Sequence, residues 1–362
     1  MLTMDLKVPR SSRSPDARRC FIAAHASPIT LTGMPSFTDR SARSSRPARS
    51  FPSARVTRMA AAALGLCLAA TACGSSVSVD AAPSGGDAVP EPSTSAPPPM
   101  PELPRGGTTI FPQNIVVMYY GSARTPALGV LGEGTPQKAA VRLEKAAAPW
   151  GPASGRQVLP AFELITTMAQ IDPGKDGDGS EPLTDEEVQA YLDVARKNKM
   201  LVVLDFQPGR ATFLDQVKMF EKFVVQPDVG IALDPEWKLR KGQRALGQIG
   251  SARAAEINEV SAYVSDLVAK NNLPEKILIV HQFQQFQLKD RDKIIDAPGL
   301  ATIIHIDGFG SRSAKFQTYG LLSSKTPQFV NGFKLFYDED VKLLTPKRTM
   351  AMRPQPELVS YQ

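Results

Sequence analysis

Two carboxylates lie close together in one stretch, Gly230-Ile-Ala-Leu-Asp234-Pro-Glu236, where they could do proton chemistry. Side chains at positions i and i+2 of a strand point to the same side, which would bring Asp234 and Glu236 together. Like charges at short range push the pKa values of two carboxyls apart, so that one holds a proton while the other stays ionised. Such a pair protonates a glycosidic oxygen and stabilises the positive charge that develops. We therefore predict Glu236 as a general acid and Asp234 as the residue that tunes it.

Other polar and aromatic side chains stand where the remaining apolar runs of the sequence end. The chain has three histidines, and two of them end neighbouring runs. Ionisable groups inside a cleft need partners, and such clusters are where proton chemistry is tuned. Flat aromatic rings suit the apolar faces of sugars. The predicted substrate-binding residues are Tyr119, Tyr120, Glu163, Asp205, Gln207, Trp237, His281, Gln282, His305, Asp307 and Tyr337.

Eight apolar runs of strand length must position these side chains. The first seven are mostly continuous, as is typical of parallel strands that are covered on both faces, and the eighth is weaker. Amphipathic segments between the runs predict helices over 135–148, 184–198, 212–225, 251–271 and 312–323. The predicted strands are Ile115–Tyr120, Val158–Glu163, Met200–Asp205, Val229–Asp234, Ile277–His281, Ala301–Asp307, Phe329–Phe336 and Glu357–Tyr361.

Strands that alternate with helices indicate βαβ units, and eight of them in about 250 residues fit the size of a (β/α)8 TIM barrel. The last predicted strand reaches the end of the chain, so we expect the eighth helix to be missing. An open doubly wound sheet is the alternative, and it predicts Gly-x-Gly-x-x-Gly after the first strand. Gly121-Ser-Ala-Arg-Thr-Pro stands there instead, which favours the barrel.

The net charge of +6 is unevenly distributed along the chain. Residues 1–72 hold 11 Lys and Arg against 3 Asp and Glu, a balance of +8, and the remaining 290 residues hold 31 against 33, a balance of −2. The basic character therefore belongs to the leader, and we expect no nucleic-acid partner. The apolar and charged fractions, 42% and 22%, are those of a globular protein.

An export signal is predicted near the N-terminus. Arg55 and Arg58 precede a short apolar run over 59–72, which is too short to span a bilayer. Residues 1–72 are thus predicted to be a leader and signal peptide, with 1–55 explained by a translation start assigned too early. Residues 73–110 are predicted to be a tether, since 74–107 carry 8 prolines, and 111–362 the barrel domain.

The end of this signal, Ala70-Thr-Ala-Cys73-Gly-Ser-Ser, resembles the lipobox of bacterial lipoproteins. The resemblance implies that Cys73 becomes the lipidated first residue of the mature protein. The protein would then be anchored to the cell membrane on its extracytoplasmic face. Cys20 and Cys67 fall in the segment to be removed, so no intramolecular disulfide is expected.

The stretch around Asp234 is similar to the fourth-strand motif of family-18 chitinases, Asp-Gly-x-Asp-x-Asp-x-Glu. Gly230, Asp234 and Glu236 match that motif, whereas Val229 and Ala232 replace its first two acids. The resemblance implies a barrel like those of glycoside hydrolases, with Glu236 as the proton donor and Asp234 as the acid that orients it. We therefore expect a cell-surface enzyme that acts on a glycan or cell-envelope polymer as a monomer, without a cofactor or metal.

Two alternatives stay open at the level of the sequence. The two missing acids are compatible with a barrel that has lost turnover and binds a glycan or an envelope partner. His281 and His305 are also similar in position to the metal ligands of amidohydrolase barrels, although the His-x-His of that family is absent from the first strand.

Overall fold

A computed structural model describes residues 99–362 of the chain. The predicted leader and signal peptide, the acceptor Cys73 and the first part of the tether lie outside the described residues. Among the helices of residues 99–362, none is both long enough and apolar enough to cross a membrane.

Eight parallel strands form a closed barrel, which confirms the predicted fold class. They are β1 (Asn114–Ser122), β2 (Gln157–Ala169), β3 (Leu201–Phe206), β4 (Val229–Leu233), β5 (Lys276–Gln282), β6 (Leu300–Ile306), β7 (Val330–Leu335) and β8 (Leu358–Tyr361). Each strand pairs in parallel with its neighbours in chain order. β1 also pairs with β8, and this pairing closes the barrel.

Helices connect most of these strands. They are α1 (Pro136–Ala147), α2 (Trp150–Ser154), α3 (Asp185–Lys197), α4 (Phe213–Met219), α5 (Glu221–Val224), α6 (Ala254–Lys270), α7 (Arg312–Leu322) and α8 (Pro346–Thr349). The helix predicted over 212–225 is divided at Phe220 into α4 and α5. Only two 3-10 turns, Gln285–Gln287 and Arg291–Lys293, connect β5 to β6, and the described chain has no helix after β8.

Three of the long helices, α1, α3 and α7, begin after a Thr or Ser whose hydroxyl accepts a hydrogen bond from the first turn. The hydroxyl of Thr184 accepts a hydrogen bond from the backbone of Glu187, whose own side chain accepts one from the backbone of Thr184. This capping box satisfies two backbone donors that would otherwise lack partners. The outward face of α3 is polar, and its buried face, which includes Val188 and Leu192, packs on the outer side of the barrel.

The half of the barrel interior towards the amino ends of the strands is apolar. Val116, Met118, Val203, Ile279 and Ile303 belong to one buried cluster there. Leu103 and Ile110 join the same cluster from the segment before β1, so the packed domain begins upstream of residue 111. That segment is held against the start of β5, because the backbone N–H of Glu275 donates to the carbonyl of Thr108 at 2.9 Å.

Candidate functional site

Polar side chains occupy the upper half of the barrel interior, towards the carboxyl ends of the strands. Side chains alternate between the two faces of a strand, so a residue two positions beyond an interior apolar residue also points inward. Met118 is followed in this way by Tyr120, and Ile279 by His281. We call this set the interior polar layer. It consists of Tyr120, Glu163, Asp205, Asp234, His281, His305, Asp307, Lys334 and Ser360, all of them buried.

His281 lies at the centre of the interior polar layer. Its Nε2 is 3.0 Å from Oε1 of Glu163, and its Nδ1 is 3.2 Å from Oδ2 of Asp307. A third carboxyl oxygen, Oδ1 of Asp205, is 3.8 Å from Nε2. Both ring nitrogens therefore face carboxylates, and only the protonated imidazolium can donate a hydrogen bond from each of them.

The pKa shifts of these groups agree with that charge state. Burial opposes the charged ring of His281, but the attraction and hydrogen bonds of Glu163 and Asp307 outweigh it and raise its pKa well above the usual range. Burial alone would raise the pKa of both carboxyls. The charge and hydrogen bond of His281 overcome this effect, so the pKa values of Glu163 and Asp307 are lowered.

Asp205 differs from Glu163 and Asp307 in its net shift, because burial outweighs the attraction of His281 there. Burial, together with the negative charge of Glu163, raises its pKa to about 7 against the opposing charge of His281. The hydroxyl of Tyr120 lies 3.3 Å from Oδ2 of Asp205 and donates to it. Gln207 in turn donates to the hydroxyl of Tyr120 at 3.2 Å, so the three predicted residues form one chain of hydrogen bonds.

Asp234 and Glu236 do not extend from one strand, so the predicted i, i+2 geometry is wrong. β4 ends at Leu233, and Pro235–Trp237 forms a 3-10 turn in which the backbone N–H of Glu236 donates to Oδ1 of Asp234 at 3.1 Å. The two carboxyls still interact. Burial raises the pKa of Asp234 well above its usual range, His281 opposes that shift, and the charge of Glu236 adds to it.

His305 is held apart from the ionic pairs. Its Nε2 lies 2.7 Å from the hydroxyl of Ser360, and its ring meets that of His281 edge to face at 5.2 Å between centroids. Burial lowers the pKa of His305 to about 3, so the ring is neutral. Gly332 on the next strand makes room for it, because a Cβ at that position would lie 2.3 Å from Nδ1 of His305.

Lys334 and Ser360 belong to the layer although the sequence did not single them out as site residues. The ammonium of Lys334 lies 3.6 Å from the ring centroid of Tyr120 and 3.9 Å from Oδ2 of Asp307. Lys334 follows Gly332 at a spacing of two, and strict alternation along the predicted seventh strand would have placed it inside. Ser360 reaches the layer from β8 in the same way, two positions after the interior Leu358.

Tyr119 and Tyr337 lie outside the barrel interior, contrary to their predicted place in the site. Tyr119 belongs to the cluster between the strands and the helices, and its ring meets Tyr337 at 6.4 Å between centroids. Tyr337 stacks on Tyr361 at 5.1 Å, and Trp150 of α2 donates to the hydroxyl of Tyr361. Tyr119 precedes the interior Tyr120, so alternation turns its side chain to the outer face.

Gln282 and Trp237 have other contacts. The side chain of Gln282 accepts from Arg291 at 2.8 Å and donates to the carbonyl of Gln284, as expected for a residue that alternates with the interior His281. Trp237 packs with Leu239 and Ala245 in a small apolar cluster of its own.

Four buried polar atoms of the layer have no hydrogen-bond partner: Oε2 of Glu163, Oδ1 of Asp205, Oδ1 of Asp307 and Nδ1 of His305. Leaving such atoms unpaired in a protein interior is costly. Within residues 99–362, no group of three or more His, Cys, Asp or Glu side chains is arranged to hold a metal ion.

The layer has the chemical parts of an acid–base site. The pKa values of Asp205 and Asp234 are raised, whereas those of Glu163 and Asp307, which face His281, are lowered. Environments that push carboxyl pKa values apart are how one site supplies both a proton donor and a proton acceptor. Asp234 and Asp307 of the layer are 4% and 6% exposed, and Glu236, which follows Asp234 in the 3-10 turn, is 6% exposed.

Comparison with known proteins gives similarities to solved structures, among them the spore coat polysaccharide biosynthesis protein SpsE of Bacillus subtilis. The match has 15% sequence identity and a TM-score of 0.38, and it covers 68% of this chain and 59% of that one. The chain thus spans about three fifths of the length of that protein. No protein-family model and no curated protein matches the chain.

Proposed function

We propose that the barrel is a glycoside hydrolase whose proton chemistry is done by carboxyls at the carboxyl end of its strands. The supporting observation is the coexistence of carboxyls with raised and with lowered pKa values in one barrel interior, together with the turn that carries Asp234 and Glu236. Catalytic groups of such barrels sit at this end. The acid pair needed at a glycosidic bond is available there.

The roles we propose for the pair differ from those that the motif implied. The raised pKa of Asp234 suits it to hold the proton that a leaving oxygen needs, and the charge of Glu236 helps to keep that proton in place. Glu236 would then stabilise the positive charge of the transition state. Tyr120, Gln207 and His281 would set the charge and orientation of Asp205 beneath the pair.

A screen for glycosidase activity tests this proposal. The full chain is incubated with chromogenic aryl glycosides of common hexoses, pentoses and N-acetylhexosamines, and with peptidoglycan fragments. Asp234→Asn and Glu236→Gln should each lower turnover by about 100-fold or more, the usual contribution of a positioned acid or base. Asp338→Asn removes an exposed carboxyl after β7 and is the matched control. Full activity in the Asp234→Asn protein, or hydrolysis of none of the substrates by the wild type, would contradict the proposal.

A binding module is the second candidate, and one observation favours it. The charged side chains of the layer pair mainly with one another. Glu163 and Asp307 both form buried ion pairs with His281. Such an arrangement can serve stability alone. Glycan binding by the wild-type chain without any hydrolysis in the same screen would support this second candidate over the enzyme.

We further propose that the protein is a monomeric lipoprotein of the extracytoplasmic membrane face, without a nucleic-acid partner. The lipobox-like Ala70-Thr-Ala-Cys73 supports this proposal, although it lies outside the described residues. Labelling of cells with an alkyne-bearing palmitate should tag the wild-type chain in the membrane fraction and leave Cys73→Ser untagged. A wild-type protein that stays untagged would contradict lipid anchoring.

A further inference from the structure

The carboxyls of the proposed function lie in a closed interior. Asp234, Glu236 and Asp307 are at most 6% exposed, and Glu163 and Asp205 are 0% exposed. Protein interiors hold few voids larger than a water molecule. A sugar ring can therefore reach these carboxyls only if some of the segments that follow the strands move apart.

The segments that follow β2, β3 and β4 are joined to one another. We call residues 238–250, which follow β4, the β4 loop. Its Leu239 packs with Trp237 in a small apolar cluster, and Ala169 at the end of β2 packs against this cluster. Because β3 pairs with both β2 and β4, the cluster crosses the carboxyl end of β3. The backbone N–H of Leu239 also donates to the carbonyl of Gly209, which follows β3, at 2.7 Å.

Arg210 connects all three segments. Its Nε donates to the carbonyl of Gly177, after β2, at 2.8 Å, and its Nη1 donates to the carbonyl of Gln243, in the β4 loop, at 3.0 Å. Both side-chain partners are neutral carbonyls, and Arg210 itself is half-buried. Water can therefore replace these hydrogen bonds at a modest cost when the segments separate.

The segments on the opposite side of the barrel, after β6 and β7, are connected by a buried charge pair. The ammonium of Lys315, on α7, lies 3.0 Å from Oδ2 of Asp340, and both side chains are 1% exposed. The same ammonium donates to the carbonyls of Gly308 and Lys334. Separating these segments would break a buried ion pair, which costs far more than replacing hydrogen bonds to carbonyls by water.

We propose that the β4 loop is a lid, that Arg210 is its latch, and that the barrel opens on this side when a glycan enters. The loop begins and ends beside the acid pair, since the backbone N–H of Gly250 donates to the carbonyl of Glu236 at 2.6 Å. Loops that close over a substrate exclude water from the reaction. The inference rests on the proposed function only for the nature of what enters.

Hydrogen exchange of the wild-type full chain, followed by mass spectrometry, tests the lid without a substrate. Amides that open locally exchange faster than those of more strongly held segments. Peptides with the amides of Leu239 and Gly250 should exchange about tenfold faster or more than those with Gly310 and Phe336, which donate to Asp340. Equal or slower exchange of the β4 loop would overturn the inference.

Arg210→Met keeps an unbranched side chain but removes the donors of the latch. Exchange of the β4 loop should rise about tenfold, the value of roughly one hydrogen bond, while α6 should exchange as in the wild type. Arg105→Met is the matched control, because Arg105 also donates to two carbonyls, those of Val158 and Lys199, at the amino ends of strands. No increase in the β4 loop, or an equal increase in α6 or in Arg105→Met, would overturn the inference.

Access to the acid pair is measured by modification of carboxyls with a water-soluble carbodiimide and glycinamide. Modification of Asp234 and Glu236 should rise about tenfold in Arg210→Met, in step with the exchange of the β4 loop, relative to the exposed Asp338. Unchanged modification in a variant whose β4 loop exchanges faster would show that this loop is not the lid.

These measurements separate the inference from the proposed function, because none of them needs a substrate. Hydrolysis of glycosides by a protein whose β4 loop fails these tests would leave the proposed function standing and overturn the inference alone. A β4 loop that opens as expected, in a protein that hydrolyses no glycoside, would support the inference and contradict the hydrolase.

Discussion

His281 and Glu163 lie on different walls of the barrel, 118 residues apart in the sequence, and are joined by a contact of 3.0 Å between Nε2 and Oε1. The other ring nitrogen of His281 reaches Asp307 at 3.2 Å. One imidazolium thus links β2, β5 and the end of β6 through the barrel interior. Its charge keeps two buried carboxylates ionised, and this dependence can be measured.

Replacing His281 by Gln should destabilise the protein by about 3–5 kcal/mol, because the change leaves two buried carboxylates without their counter-charge. Urea unfolding of the full chain measures the loss. The double variant with Glu163→Gln should recover part of it, since one of the two stranded charges is then removed. Asp338→Asn should stay within about 0.5 kcal/mol of the wild type. If the double variant is no more stable than His281→Gln alone, the result would argue against an ion pair between His281 and Glu163.

Asp205 should make stability depend on pH between about 4 and about 7. Its pKa of about 7 lies above the value of about 3.9 for an unfolded Asp, so in this range the folded state holds a proton that the unfolded state has lost. Stability from this group is therefore greatest at the acid end and falls as pH rises towards 7. Asp205→Asn, which cannot titrate, should have a flatter stability profile. If the stability of Asp205→Asn depends on pH as steeply as that of the wild type, the raised pKa of Asp205 would be refuted.

Gly332 and Gly320 should respond to alanine with opposite signs. A Cβ at Gly332 would lie 2.3 Å from Nδ1 of His305, so Gly332→Ala should cost about 1–3 kcal/mol through overpacking. A Cβ at Gly320, in α7, would meet nothing within 4 Å, and Gly320→Ala should stabilise by about 0.5–1 kcal/mol. Thermal unfolding of both variants checks the two signs, and a neutral Gly332→Ala would mean that His305 is free to move.

Tyr119 and Tyr120, which are adjacent on β1, allow a matched comparison of the effect of losing one hydroxyl on enzyme activity. Tyr120→Phe removes the hydroxyl that donates to Asp205 and should lower kcat/KM about tenfold, the value of roughly one buried hydrogen bond. Tyr119→Phe alters only contacts on the outer face, with Tyr337 and the carbonyl of Arg142, and should stay within about twofold of the wild type. Similar losses in both variants would show that the outer face also affects turnover.

The architecture could be predicted because it depends on patterns local to each segment. All eight strands occur where they were predicted, since apolar runs and caps such as Thr184 act within a few residues. The second strand, however, continues to Ala169, six residues beyond its predicted end at Glu163. The side chains at strand ends were harder to assign. The fifth predicted run is followed by adjacent polar residues, and only the register of the barrel decides that His281 points inward while Gln282 points out.

The other wrong or missing predictions of site residues depended on contacts between distant parts of the chain, or on one local sequence feature that was overlooked. Pro235 could have indicated that the strand ends before Glu236, because proline does not continue a central strand. No local pattern could have paired His305 with Ser360 or placed Gly332 against its ring, since these contacts join separate strands. The raised pKa of Asp234 likewise depends on burial that only the closed barrel provides.

The segment that carries Leu103 and Ile110 determines at which end of the barrel the preceding part of the chain is attached. It enters the barrel at the amino ends of the strands, where Glu275 holds it, and the interior polar layer lies at the opposite end. Anything attached upstream of residue 99 is therefore joined to the closed base.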